Sequence, residues 1–424
     1  MKNINNIIEN NMKKILSVFF ILQPILDVIA AISLNYLKTE ITLSSITRLI
    51  FMTLCIYYIM FINKKKENTK KIFFILIYFI CFTLTILLNK NISALPYELK
   101  NTINTFYFPI ILLSLNNIFK QYNIKTTIKN YVYLYIIYEI LIIIPTITHT
   151  GFESYAYSKT GNTGWFTSAN SVGNILSILF PIIIYYIIKE KKHNILKIII
   201  ILSTIYIFTN IGTKTPLLSL ITTIIITLIF FIIIWIKNKK IKKILITTII
   251  SIISIIIALI TIPKTSFYKN LQIHKEFLGI NNYIEILKDY KLIDHFIFSQ
   301  RLTFLKNSST NYKNSNITEK IFGIGYIEEY ATDKTSTKTI EIDYFDILYR
   351  QGIIGFALFT YIILTNIKKS KIKNNLLKTE LKTSILLIIL LSLFTGHILN
   401  SPSVSIFVTL IIINYQGGLH EKTN

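Results

Sequence analysis

Ile321-Phe-Gly-Ile-Gly-Tyr326, followed by Glu341-Ile-Asp-Tyr-Phe-Asp-Ile-Leu-Tyr-Arg-Gln-Gly-Ile-Ile-Gly355, closes the one long polar segment of this chain, which begins at Pro263. Within the same segment, Ser299-Gln-Arg-Leu-Thr-Phe-Leu-Lys306 carries an arginine expected to face solvent rather than lipid. On both sides of this segment the chain is a succession of apolar runs. A polar insertion between such runs reads as a loop carried outside a membrane bundle, with apolar faces of its own that mark it as functional rather than slack. Stretches such as Tyr283-Ile-Glu-Ile-Leu-Lys-Asp-Tyr290 predict short amphipathic helices lying over the mouth of that bundle.

Working outward, a span of hydrocarbon needs about 20 mainly apolar residues. Runs of this kind lie at 15–37, 44–62, 72–88, 103–119, 131–147, 168–188, 195–209, 215–236 and 244–262 before the polar segment, and at 344–367, 381–399 and 403–415 after it. The fold class expected is an all-α polytopic integral membrane protein of about 12 transmembrane helices, with one large extracytoplasmic loop between the ninth and tenth. Three regions follow: a membrane part at 1–262, the external loop at 263–341, and a membrane part with a short cytoplasmic tail at 342–424.

Composition agrees. The chain of 424 residues is 52% hydrophobic and 16% charged, with mean hydropathy +0.54, outside the range of ordinary soluble domains. Its formal charge of +24 sits in lysine blocks between apolar runs. Lysine accumulates on the cytoplasmic side of a membrane. The loops at 63–71, 120–129, 189–197, 237–243 and 368–382 are all lysine-rich, whereas those at 38–43, 89–102, 148–167 and 210–214 hold one or two basic residues each. This alternation places both termini in the cytoplasm, the long loop outside, and the chain in the cytoplasmic membrane. No basic face on a soluble domain points to nucleic acid. Cys55 and Cys81 both lie in apolar runs, so neither a disulfide framework nor a metal site is indicated, and no cofactor is implied.

Several polar residues are candidates for chemistry. Thr209-Asn-Ile-Gly-Thr-Lys-Thr-Pro216 puts Lys214 at the outer start of a helix, beside unpaired N–H groups that favour anions. It reads either as a phosphate ligand or as a lysine snorkelling to headgroups. Arg301 is one of three arginines, with Arg48 and Arg350, in a chain that otherwise uses lysine, and its donor fork matches phosphate oxygens. Glu341 and Asp343 stand at the bilayer boundary, as a general base or as carboxylates favoured by the helix dipole. Gly161-Asn-Thr-Gly-Trp-Phe-Thr-Ser-Ala-Asn-Ser-Val-Gly-Asn174 sets Asn170 and Asn174 one turn apart, suited to sugar hydroxyls, with Trp165 as an interfacial anchor. Asp27 in the first span pairs with a lysine or lines a substrate path, and Glu139 is a similar case. His397 and Asn400, near the outer end of the eleventh span, suit interhelical hydrogen bonds. Phe322-Gly-Ile-Gly-Tyr326 lacks the spacing and lysine of a phosphate loop and reads as a tight turn.

Taken in order, Gly212-Thr-Lys-Thr215 at the eighth span, Arg301, the Phe-Gly-Ile-Gly-Tyr turn and the acidic run ending Gly-Ile-Ile-Gly355 resemble the O-antigen ligase and O-antigen polymerase superfamily. The resemblance implies a metal-independent glycosyltransferase. It would transfer glycan from a polyprenyl-diphosphate-linked oligosaccharide to a hydroxyl of a glycan acceptor at the outer face of the cytoplasmic membrane, embedded in membrane lipid and working with other polysaccharide-assembly proteins. It also implies that Lys214 stands at a diphosphate-binding arginine position and Glu341, with Asp343 beside it, at that of a histidine. These departures favour a polymerase-like member building capsular or teichuronic-type polysaccharide over a strict lipid A core ligase. Two other classes remain: a flippase of lipid-linked oligosaccharide, which would spread cations along a cavity at mid-bilayer depth, and a non-catalytic partner in polysaccharide export.

Overall fold

The computed structural model describes residues 2–39, 42–63, 65–155, 158–243, 246, 260–327 and 339–419, which form an all-helical bundle with no strands among the described residues. Among the described residues, eight helices precede the polar segment: α1 (Lys2–Asn35), α2 (Leu43–Tyr57, prolonged by a π turn), α3 (Lys66–Asn89), α4 (Leu95–Gln121), α5 (Ile128–Ile147), α6 (Ala169–Lys189), α7 (Asn194–Asn210) and α8 (Lys214–Lys237). The segment itself folds into α9 (Ser266–Phe277), α10 (Tyr283–Ile286), α11 (Tyr290–Phe296), α12 (Arg301–Asn314) and α13 (Ile317–Phe322). The chain then forms α14 (Asp343–Asn366), α15 (Asn375–Phe394) and α16 (Pro402–Ile413).

Eight of the described helices are long and apolar enough to cross a membrane: α1 to α6, α8 and α14. The ninth expected span, at 244–262, lies outside the described residues apart from its last few positions; each of the others falls on a helix. The shortfall from twelve has physical causes. α7 has 17 residues. α15 begins with polar turns and stops at Phe394, so His397 and Asn400 sit in a loop rather than in a span. α16 has only 12 residues, yet from Val404 to Ile413 every one is buried. A helix apolar all round and surrounded by protein is a core element, and this one packs on α4 and α6. α4 and α6 form the centre of the bundle, with 83% and 78% of their apolar windows buried, whereas α8, at 17%, turns most of its isoleucines outward.

One joint between the external segment and the bundle is a helix break. Gly352 interrupts α14 with φ 67° and ψ −178°, so the carbonyls of Tyr349 and Arg350 lose their helical donors. The N–H groups of Ile324 and Gly325 occupy them, at 3.0 and 3.2 Å. Glycine is needed on both sides: a Cβ on Gly352 would stand 2.5 Å from the Ile321 carbonyl oxygen, and one on Gly323 2.6 Å from the Arg350 carbonyl carbon. The next residues are held by Glu98, which is fully buried and accepts from the N–H groups of Tyr326 (2.7 Å) and Ile327 (2.8 Å) while pairing with Lys90 at 2.7 Å. The Phe-Gly-Ile-Gly-Tyr stretch is therefore a backbone plug seated on α14. The segment also has a small core of its own, in which Ile280, Ile286 and Phe296 are buried.

Candidate functional site

Four chain segments meet at the end of the bundle covered by the external helices. Arg301 opens α12, and its Nη2 donates to Glu341 Oε2 at 2.5 Å and to the Thr395 carbonyl at 3.4 Å. Contrary to the expectation of a solvent-facing arginine, it is 9% exposed. His397 Nε2 lies 3.9 Å from Glu341 Oε1, so Glu341 stands between a guanidinium and an imidazole. The backbone around the site is strained: Ser299 (φ 53°), Gln300 (φ 68°), Glu341 (φ 60°) and His397 (φ 58°) all occupy the left-handed region without being glycine. Such conformations persist where the surroundings over-determine them, and they cluster at functional sites.

Three carboxylates supply that determination. Asp294, 1% exposed, accepts from the N–H groups of Leu302 and Thr303, both at 2.9 Å, and so caps the first turn of α12 in place of an N-cap side chain. Asp346 accepts from the N–H groups of Ile340 (2.9 Å) and Glu341 (2.8 Å). Asp343, with no exposure, takes the N–H groups of His397, Ile398 and Leu399 at 2.8 to 2.9 Å. Asp343 and Asp346 stand in the first turn of α14, one tying down the loop that bears His397 and the other the residue that bears the Glu341 carboxylate. Their oxygens are turned to backbone, whereas the Glu341 side chain keeps 28% of its surface open.

Electrostatics separates the pair further. Burial works to raise the pKa of Glu341, but His397 and the Arg301 guanidinium outweigh it and hold the carboxylate below its ordinary value. Burial would lower the pKa of His397, and Glu341, Asp343 and Asp346 together raise it.

A second group of cations stands alongside. Lys214, the first residue of α8, donates from Nζ to the Phe296 carbonyl and sits 4.8 Å from the centroid of that ring. Lys159 lies 5.5 Å from the Tyr155 ring, and burial lowers its pKa. Neither lysine forms an ion pair with a carboxylate among the described residues, and both are within electrostatic reach of His274, which stacks on Phe296 at 5.3 Å. Burial first, then Lys159, Lys214 and His295, push His274 down to about 4, so it is neutral at physiological pH. The result is a surplus of positive charge at the mouth, suited to an anion.

The structure thus brings together Lys214, Arg301, Glu341 and Asp343. Asn174 is fully buried, donating to the Gly396 carbonyl at 3.2 Å with its Oδ1 unpartnered among the described residues; Asn170, one turn away, is half-buried. Elsewhere, Asp27 pairs with Arg48 at 2.5 Å rather than with a lysine, Glu139 accepts from Thr204 at 2.8 Å, and the Trp165 indole donates to Thr150 at 3.2 Å. Sequence reasoning missed Lys159, legible only as a lone basic residue in an outer loop, and placed His397 in a span. It had no signal for Asp294 and Asp346, whose partners are backbone amides.

Fold and site define a polytopic membrane protein with a cation-rich, carboxylate-bearing centre at one end of its helix bundle. The family model for O-antigen ligase like membrane protein matches residues 9–291 and 284–415, and the chain belongs to that family. Its members are membrane proteins of the class that acts on lipid-linked glycans. No curated protein and no solved structure matches the chain.

Proposed function

We propose that this protein is a glycosyltransferase that polymerises polyprenyl-diphosphate-linked oligosaccharide repeats at the outer face of the cytoplasmic membrane, for a capsular or similar envelope polysaccharide. The observation that carries this reading is the Glu341 carboxylate, partly open to solvent and held between Arg301 and His397, beside two lysines with no carboxylate partner among the described residues. Cations and a base in one site are what a diphosphate leaving group and a hydroxyl nucleophile require.

In the proposed step, the acceptor hydroxyl oxygen forms a bond to the anomeric carbon as the bond from that carbon to the diphosphate oxygen breaks. The electron pair leaves with the polyprenyl diphosphate, whose charge Lys214, Lys159 and Arg301 stabilise without a metal ion, and the hydroxyl proton passes to Glu341. A single displacement inverts the anomeric centre. Arg301 gives the sequence of events: diphosphate oxygens compete with Glu341 for its guanidinium, and a carboxylate that loses that partner becomes the stronger base. Asp343 serves the site by fixing the loop of His397, and Glu341 is the base.

The test is reconstitution of the purified protein in liposomes with lipid-linked oligosaccharide extracted from its own host, with products separated by size. A ladder of lengthened, lipid-linked chains is expected, with Lys214→Ala and Glu341→Gln each slowing its formation by about 10²-fold or more. Transfer of one unit to an added acceptor would redirect the reading to a ligase. Donor left unchanged by the wild-type protein would overturn it in favour of transport or assembly.

A further inference from the structure

The loop that carries His397 has a second end. Four residues on, Ser401 and Ser403 form part of the wall of a cavity of about 240 Å³, enclosed with them by α1, α2, α4 and the start of α6. An extended chain of four residues spans at most about 14 Å, so this cavity lies within an oligosaccharide's reach of Glu341. It contains none of the residues assigned above to the transfer step.

Its chemistry is that of a sugar site. A space of about 240 Å³ is many times what a single water needs and is large enough to admit a sugar ring. The lining offers hydroxyls from all sides, Thr42 and Ser44 on one wall, Ser168 and Ser171 on another, and the ring of Tyr107. Two of these polar groups are buried and lack any partner among the described residues: Ser44 Oγ, on a residue 1% exposed, and Tyr107 Oη, on one 2% exposed. Buried polar atoms without a partner are costly, and both belong to residues that line this cavity. At the base of the cavity Arg48 is already neutralised. Its Nη2 bonds Asp27 at 2.5 Å, and both Nε and Nη2 bond Gln23 Oε1 at 3.0 Å. A ligand that brought its own negative charge would meet Asp27 as a competitor and a repellent, so the lining selects an uncharged one.

We propose that this cavity binds a neutral pyranose of the glycan substrate and so sets which hydroxyl, or which repeat, reaches Glu341. The inference rests on the glycan reading of the neighbouring site. The ring's hydroxyls would donate to Asp27 and exchange hydrogen bonds with the serines of the lining.

The test uses Ser171→Phe, which fills the cavity from α6, and Ser403→Leu, a smaller intrusion from the opposite wall that guards against misfolding of the first. Binding is read with the oligosaccharide released from the host lipid-linked donor by mild acid, in a Trp235→Phe background where Trp165, adjacent to the lining residue Phe166, is the remaining tryptophan. Saturable change in Trp165 fluorescence is expected, weakened about tenfold or more by either substitution, which is the loss of about one good polar contact set, and retained in Lys214→Ala. In the transfer assay, KM should rise about tenfold with kcat nearly unchanged. A rise confined to the lipid-linked donor, or to the acceptor, assigns the sugar to that strand, and either outcome supports the site. Wild-type KM and undiminished oligosaccharide binding in folded Ser171→Phe and Ser403→Leu would overturn the proposal while leaving the transferase reading intact. Oligosaccharide binding with no transfer by the wild-type protein would overturn the transferase reading alone.

Discussion

At the level of single residues, three acidic side chains within six positions divide the labour by where their oxygens point. Asp343 gives both oxygens to the N–H groups of residues 397–399. Removing it in Asp343→Ala leaves three buried donors unmet at about 1–3 kcal/mol each, so the expected result is a protein of strongly lowered thermal stability. Glu341→Gln, by contrast, should remain folded and fail in transfer. A scan of thermal unfolding beside the transfer assay separates the two, and equal stability of both variants would contradict this division. The pH dependence follows from the same pair. Glu341 is held below its ordinary 4.5 and His397 above its ordinary 6.5. A lowered carboxylate contributes stability above its unfolded value that is lost as pH falls through the folded one; a raised histidine contributes below its unfolded value and loses it as pH rises through the folded one. The pair is therefore complete from 4.5 to 6.5. His397→Ala removes a cation that depresses Glu341, so the acid limb of the transfer rate should move to higher pH; an acid limb that stays in place would show that Glu341 does not titrate in the reaction. The sequence singled out Lys214 by its place before the Thr-Pro of a helix start, Arg301 by the rarity of arginine, and Glu341 by its place at the bilayer boundary. The roles of Asp294, Asp343 and Asp346 were not legible in it, since a carboxylate bound to a backbone amide leaves no pattern in the identity of its partner.

At the level of elements, apolar run length located the helices, because hydrocarbon imposes the same requirement on every span. It did not show that α16 is core rather than lipid-facing, since both environments select the same residues. Nor did it show the break in α14, which exists only because Gly323 and Gly352 approach back to back. That docking is one of the joints between the external helices and the bundle, and Glu98 holds the two amides that follow it. Glu98→Ala deprives Lys90 of its carboxylate, leaving it the Ile327 carbonyl, in a setting where both side chains are at most 2% exposed, and breaking a buried pair from one side costs about 3–5 kcal/mol. It also frees the amides of Tyr326 and Ile327. The expected outcome is a marked fall in the unfolding temperature of the detergent-solubilised protein, with proteolytic cleavage appearing first near residues 323–327. A variant with unchanged unfolding temperature and protease pattern would mean that the plug is held chiefly by α14. The double change Lys90→Leu with Glu98→Leu should recover part of the loss, because no buried charge is left uncompensated.

At the level of the whole molecule, charge and chemistry lie at opposite ends of the bundle. Lys120, at the end of α4, is within electrostatic reach of Lys65, Lys368 and Lys371, and these are the lysine blocks that the positive-inside rule assigns to the cytoplasm. Arg301, Glu341 and His397 stand at the other end, under helices α9 to α13. If the lysine end faces the cytoplasm, the diphosphate-linked donor must be offered from outside, after some other protein has carried it across. The orientation is open to direct measurement. Lys306 on α12 and Lys369 beyond α14 are both exposed, so Lys306→Cys and Lys369→Cys can each report on one end. In a background where Cys55 and Cys81 are replaced by serine, a membrane-impermeant thiol reagent applied to intact cells should label Lys306→Cys at once. Lys369→Cys should react only after the cells are permeabilised. The reverse pattern would place the Glu341 centre in the cytoplasm, and the donor would then be consumed on the face where lipid-linked sugars are assembled rather than after export. Labelling at both positions in intact cells would instead indicate mixed insertion, which the lysine asymmetry along the chain should prevent.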